Sequence, residues 1–173
     1  MNRKLATLLL VFGFLATAGA NQASAQTDTF LNMGTIKGSS TDARHKDWID
    51  VISLTQTLDV SQNSARAGQV TRRAVCSLEV VKHLDIAGPL LWGAAVTGQV
   101  FREVQIDVSS QGESPRVFYQ IKLRNAIITG ISTVGNGGYA KRLSMAAESV
   151  ELTFRGQKPD GSIDAPVVST FAC

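Results

Sequence analysis

The stretch Trp48–Leu58, WIDVISLTQTL, sets Ile52, Leu54 and Leu58 on one side of an extended chain and Ser53, Thr55 and Thr57 on the other. Successive strand residues point to opposite faces, so this period of two, rich in β-branched residues, predicts a strand with one buried face. The reading extends upstream. Gln26–Thr29 is a polar lead-in, and Phe30–Ile36 is a short apolar stretch closed by the turn cluster Lys37-Gly38-Ser39-Ser40. Downstream, Asp59–Thr71 is polar and aperiodic. It reads as a long loop, the kind that in compact domains is functional or mobile.

The remainder repeats the pattern. Arg73–Lys82 is a strand through Val75, Leu78 and Val80, and Val100–Val108 alternates Val104, Ile106 and Val108 with Gln105 and Asp107. Val117, Tyr119, Ile121 and Leu123 form a further strand and Ala126–Thr133 another. Gly135-Asn136-Gly137-Gly138 marks a loop, Leu143–Phe154 a strand, Lys158-Pro159-Asp160-Gly161 a turn, and Val167–Phe171 a last strand. One segment departs from the pattern. Gly88-Pro89 opens an alanine-rich run closed by Gly98, which predicts a short helix. About eight short strands at near-regular spacing with one helix predict a mainly β fold, a barrel or sandwich with the helix at one end.

Composition agrees. Of 173 residues, 44% are hydrophobic and 18% charged, which fits a globular domain and excludes a disordered or collagen-like chain. The net charge of +3 is inflated by the N-terminus. Asn2-Arg3-Lys4 precedes an uncharged run from Leu5 to Ala20, and Ala23-Ser24-Ala25 is the A-x-A pattern of a signal-peptidase site. Residues 1–25 are therefore expected to be a Sec-type signal peptide cut after Ala25, leaving 26–173 as one domain, periplasmic or secreted. The apolar run is short for a bilayer span, which takes about 20 residues, so stable membrane insertion is not expected. The remainder carries 15 basic residues against 14 acidic ones, which gives no electrostatic reason for nucleic-acid binding.

Cys76 and Cys173 lie 97 positions apart in the exported part. An oxidising compartment favours their closure into an intramolecular disulfide; pairing between chains and two free thiols are the alternatives. No chemistry of catalysis stands out. His45 sits in the charged loop Ala43-Arg44-His45-Lys46-Asp47 and is expected at the surface, while His83 near Asp85 lacks a nucleophile elbow. No set of His, Cys, Asp and Glu has ligand spacing, so no metal, cofactor or catalytic residue is assigned.

Four segments, in order, resemble the haemolysin-coregulated protein (Hcp) family, the tube subunit of type VI secretion. Gly38–Ser53, GSSTDARHKDWIDVIS, is similar to its opening. Leu84–Gly98, LDIAGPLLWGAAVTG, is similar to its helix, Val117–Ser132, VFYQIKLRNAIITGIS, to a hairpin, and Leu143–Gly161 to its close. The resemblance implies an Hcp-like β-barrel of about eight strands with one short flanking helix, assembling as a homohexameric ring whose rings stack into a tube. It implies a non-catalytic conduit and carrier or chaperone of small effectors, with effector or spike proteins as partners. On that reading Ser53, Thr55 and Thr57 are lumen-facing, and Ser61, Gln62, Asn63, Arg66 and Gly68 belong to a ring-stacking loop. A signal peptide and the two cysteines are departures from the family pattern. The alternative is a monomeric exported barrel that binds a peptide, glycan or envelope partner through an apolar or aromatic patch, with Trp48 and Trp92 as the residues to inspect.

Overall fold

The alternating segments pair as antiparallel strands that close on themselves. In the computed structural model, residues 26–64, 70–112, 114–135, 139–158 and 160–173 are described; residues 1–25, Arg66, Gly68 and residues 136–138 lie outside them. The order is β1 (Thr27–Asn32), β2 (Ile49–Ser64), β3 (Val70–His83), α1 (Ala87–Thr97), β4 (Phe101–Ser110), β5 (Val117–Gly135), β6 (Tyr139–Ala146), β7 (Ser149–Phe154) and β8 (Val167–Ala172). The eight strands form one sheet, ordered β4-β1-β2-β3-β6-β5-β7-β8, and an additional β4–β5 pairing closes the barrel.

The core fills the barrel from every wall. Ile106 and Ile121 face each other across β4 and β5, both fully buried, and Val80 pairs with Leu143 across β3 and β6. Each such side chain contributes roughly 1.5–3 kcal/mol relative to exposure. The helix caps one end, burying Ala87, Gly88, Leu91 and Ala94. Its C-cap is Gly98 at φ 63°, which donates its N–H back into the last turn, as the sequence predicts. Its start is fixed differently. Asp85 Oδ1 accepts the Ala87 N–H at 3.1 Å and also pairs with the ammonium of Lys82, which is fully buried.

Several boundaries differ from the sequence reading. Most of the lead-in, Thr27–Thr29, already belongs to β1. Val117–Leu123 and Ala126–Thr133 are one strand of 19 residues rather than two or a hairpin. Asn125 sits between them at φ 48°, a local kink that the ladder accommodates. Conversely, Leu143–Phe154 is divided at Ala147-Glu148 between β6 and β7. The aperiodic Asp59–Thr71 is not a plain loop: β2 runs on to Ser64 and β3 starts at Val70, making a hairpin arm.

Ile52 and Leu58 do not share a buried face. A bulge between Val51 and Ser53 turns Ile52 outward, so that Val51 and Leu54 face the core instead. Leu58 lies beyond the barrel end, where β2 becomes the arm, and is exposed.

Candidate functional site

Ser53, Thr55 and Thr57 are all exposed on the outer side of the barrel wall. They pair with Val81, Glu79 and Ser77 of β3, and paired residues point to the same face. The ladder continues the surface. Glu79 pairs with Ser144 and Val81 with Arg142 on β6, and these with Gly130 and Ser132 on β5. Four strands thus present one face of hydroxyls and small side chains. Its charges, Glu79 and Arg142, neutralise each other at 3.3 Å. Sequence reasoning found only the β2 column; the alternation of Ser77 and Glu79 with Leu78 and Val80 carries the same signal.

The arm holds the other sequence-predicted group. Ser61, Gln62 and Asn63 lie in β2, paired with Arg73, Arg72 and Thr71, so they are strand residues rather than loop residues. Arg66 and Gly68 lie outside the described residues. At the arm's root the Tyr119 hydroxyl donates to Gln56 Oε1 at 3.2 Å, linking β5 to β2 across the barrel end. Burial raises the Tyr119 phenol above its ordinary range.

Cys76 and Cys173 are joined in a disulfide within the chain, Cα–Cα 5.3 Å. The bond ties β3 to the residue following β8.

His45 is the largest departure from expectation. It is 2% exposed, although its neighbours in sequence are charged. The loop folds over it because Gly38 donates its N–H to the Asp47 carbonyl at 2.8 Å, and Asp47 donates to the Ser40 carbonyl at 3.0 Å. Asp42 Oδ1 accepts the N–H groups of Arg44 and His45, an Asx turn that aims the ring inward. Nδ1 then lies 2.8 Å from Asp42 and Nε2 3.2 Å from Asp107 on β4. Carboxylates only accept, so both bonds form when both ring nitrogens donate. Asp107 Oδ1 is occupied in turn by the amides of Gln105 and Gln120. Partial burial pushes the Asp42 carboxyl up, but the backbone of Arg44 and the ring and backbone of His45 outweigh it, and its pKa is lowered. The arrangement is a structural buckle that fastens the first loop to β4. Among the described residues, no three His, Cys, Asp or Glu side chains are grouped to hold a metal.

Residues 30–160 match the family model described as "Type VI secretion system effector, Hcp". The chain belongs to the Hcp family. Among curated relatives, Protein hcp1 of Pseudomonas aeruginosa is 26% identical over 143 residues, 79% of this chain and 88% of that protein. Among solved structures, a type six secretion system protein superposes with a TM-score of 0.75 at 22% identity, covering 85% of this chain and 96% of its own. Hcp1 from Salmonella typhimurium gives 0.69 at 17% identity, covering 84% and 94%. These structures share the Hcp fold. Within the Hcp match lie the hydroxyl face, the arm, the buckle and Cys76; Cys173 and β8 lie beyond it. Among the described residues no helix is long and apolar enough to cross a membrane.

Proposed function

We propose that this type VI secretion tube protein works by shape, six copies closing into a ring and rings stacking into a hollow tube. The observation that carries this reading is the four-strand hydroxyl face. A wall of Ser53, Thr55, Thr57, Ser77 and Ser144 with its one ion pair internally neutralised lets a passenger slide without strong binding. Facing inward, it lines the lumen, and effector proteins or a spike protein are the partners it meets. The arm, with Ser61, Gln62, Asn63, Arg66 and Gly68, reaches the neighbouring ring.

Two further features support association. The helix carries no charged residue, and its outer side leaves Leu90, Trp92 and Val96 exposed, an apolar surface of the kind that partner subunits cover. Residues 1–25 act as a Sec signal peptide removed after Ala25, which delivers 26–173 as one domain to the periplasm or the medium.

Light scattering on a sizing column, using residues 26–173, tests the ring. A native mass near six subunits is expected. A strict monomer at high concentration overturns the ring and favours the exported binding module, with the apolar helix side around Trp92 as its contact.

A further inference from the structure

Two segments of the chain have a claim on the same strand edge. The β3–β6 ladder runs from His83 opposite Ala140 to Ser77 opposite Ala146, where it stops. β6 leads through Ala147 and Glu148 directly into β7, and β5 flanks both on their other side. β8 takes over the vacated side. It pairs Ala172 with Ser149 and Val167 with Phe154, and the Cys173 N–H donates to the Glu148 carbonyl at 2.9 Å. β3 and β8 are both antiparallel to this edge, so they run in the same direction along it. The segment Val70–Cys76 is collinear with the β3 ladder on β6; its one edge stays paired with β2, as along the rest of β3, and its other edge does not pair with β7, where β8 lies.

The disulfide sits at the point of transfer. Cys76 stands where β3 leaves the edge and Cys173 where β8 ends on it. Apart from its ladder with β7 and the partial burial of Phe171 and Cys173, little holds β8. Its residues are exposed apart from the half-buried Phe171, and Val167 is 70% exposed. A six-residue edge strand that buries one side chain belongs at the low-stability end of a fold.

We propose that the Cys76–Cys173 bond is a reducible lock that decides whether β8 or the base of the β2–β3 arm occupies the edge of β7. With the bond closed, β8 holds the edge and the arm stands off the wall. With it open, β8 departs and β3 extends its ladder from Ser77 onto β7, laying the base of the arm against the barrel. The opening step is exchange with a dithiol reductant. Its thiolate attacks Sγ of Cys173, the more accessible partner, the S–S bond breaks, and Cys76 leaves as a thiolate that takes up a proton. The second thiolate of the reductant resolves the mixed disulfide; two electrons pass to the cysteines and the reductant departs as a cyclic disulfide.

Amide hydrogen exchange on the full chain, oxidised and in dithiothreitol, tests the lock. On reduction the amides of β8 should exchange about a hundredfold faster, while β7 and the β1 and β4 barrel peptides keep their protection. Two variants repeat the open state without reductant: Cys76→Ser with Cys173→Ser, and Cys173→Ser alone, which leaves the packing around Cys76 intact. Unchanged protection of β8 on reduction overturns the proposal. So does loss of protection in β7 together with β8, which means that the edge is left bare, and so does loss throughout the barrel, which makes the bond a staple of the whole fold. The readout is strand pairing within one chain, so it stands whether or not a ring forms.

Discussion

The imidazole of His45 lies flat on the ring of Phe30, centroids 4.2 Å apart and planes inclined by 9°. Trp48 meets the same imidazole edge-on at 4.9 Å. The buckle is thus polar at the two ring nitrogens and apolar on the ring faces, and a substitution must satisfy both. His45→Ala removes the stacking and leaves the buried Asp107 short of a partner. The expected loss is about 3–5 kcal/mol, the range for truncating a buried ring to alanine. His45→Gln, which keeps a donor for one carboxylate, should lose less. Urea midpoints of the two variants check the order.

Asp42 gives the buckle a pH dependence. Its carboxyl is lowered in the folded state, so its contribution is complete above the unfolded value of about 3.9 and is lost as pH falls through the lower folded value. Stability should therefore fall more steeply below about pH 4 in the parent chain than in Asp42→Asn. Parallel acid curves for the two proteins would count against this role.

Gly38 and Gly93 should respond in opposite directions to alanine. A Cβ on Gly38 would collide with the Trp48 carbonyl and come within 2.7 Å of the Ile49 Cα, backbone atoms that cannot step aside. Gly38→Ala should cost about 1–3 kcal/mol, as overpacking does. Gly93 is exposed inside α1 with nothing near the added methyl, so Gly93→Ala should raise stability by roughly 0.5–1 kcal/mol. Thermal midpoints of the pair are the measurement.

Lys82 and Asp85 anchor the helix to the barrel. Lys82→Met should destabilise by about 3–5 kcal/mol, because it leaves a buried carboxylate without its cation. Asp85→Asn added to Lys82→Met should recover part of this, since the amide oxygen still caps Ala87 and carries no charge. A double-mutant cycle by chemical denaturation reads the coupling.

Much of the fold was legible because hydrophobic alternation reports burial, as at Val104 and Ile106 on β4. It does not report hydrogen bonding. The arm, Asp59–Ser64 against Val70–Val75, is a regular ladder, yet it leaves the barrel, so no core imposes a period on it and its composition reads as loop. The division of the 19-residue β5 had a related cause: Arg124-Asn125 is polar and exposed, which looks like a turn, while the ladder passes through it. His45 was misplaced because charged neighbours imply solvent; its partners Phe30 and Asp107 lie on other strands, and that convergence is invisible along the chain. The β2 hydroxyl column was visible from its spacing, whereas the Glu79–Arg142 pairing required the β3–β6 register.

The arm has a mechanical consequence. Arm and barrel wall share the same two strands, and their register runs from Val51 opposite Lys82 to Ser64 opposite Val70, with one bulge. Antiparallel hydrogen bonds lie perpendicular to the strands. A force drawing β2 lengthwise past β3 therefore loads these bonds in shear, many rungs at once, instead of peeling them one by one.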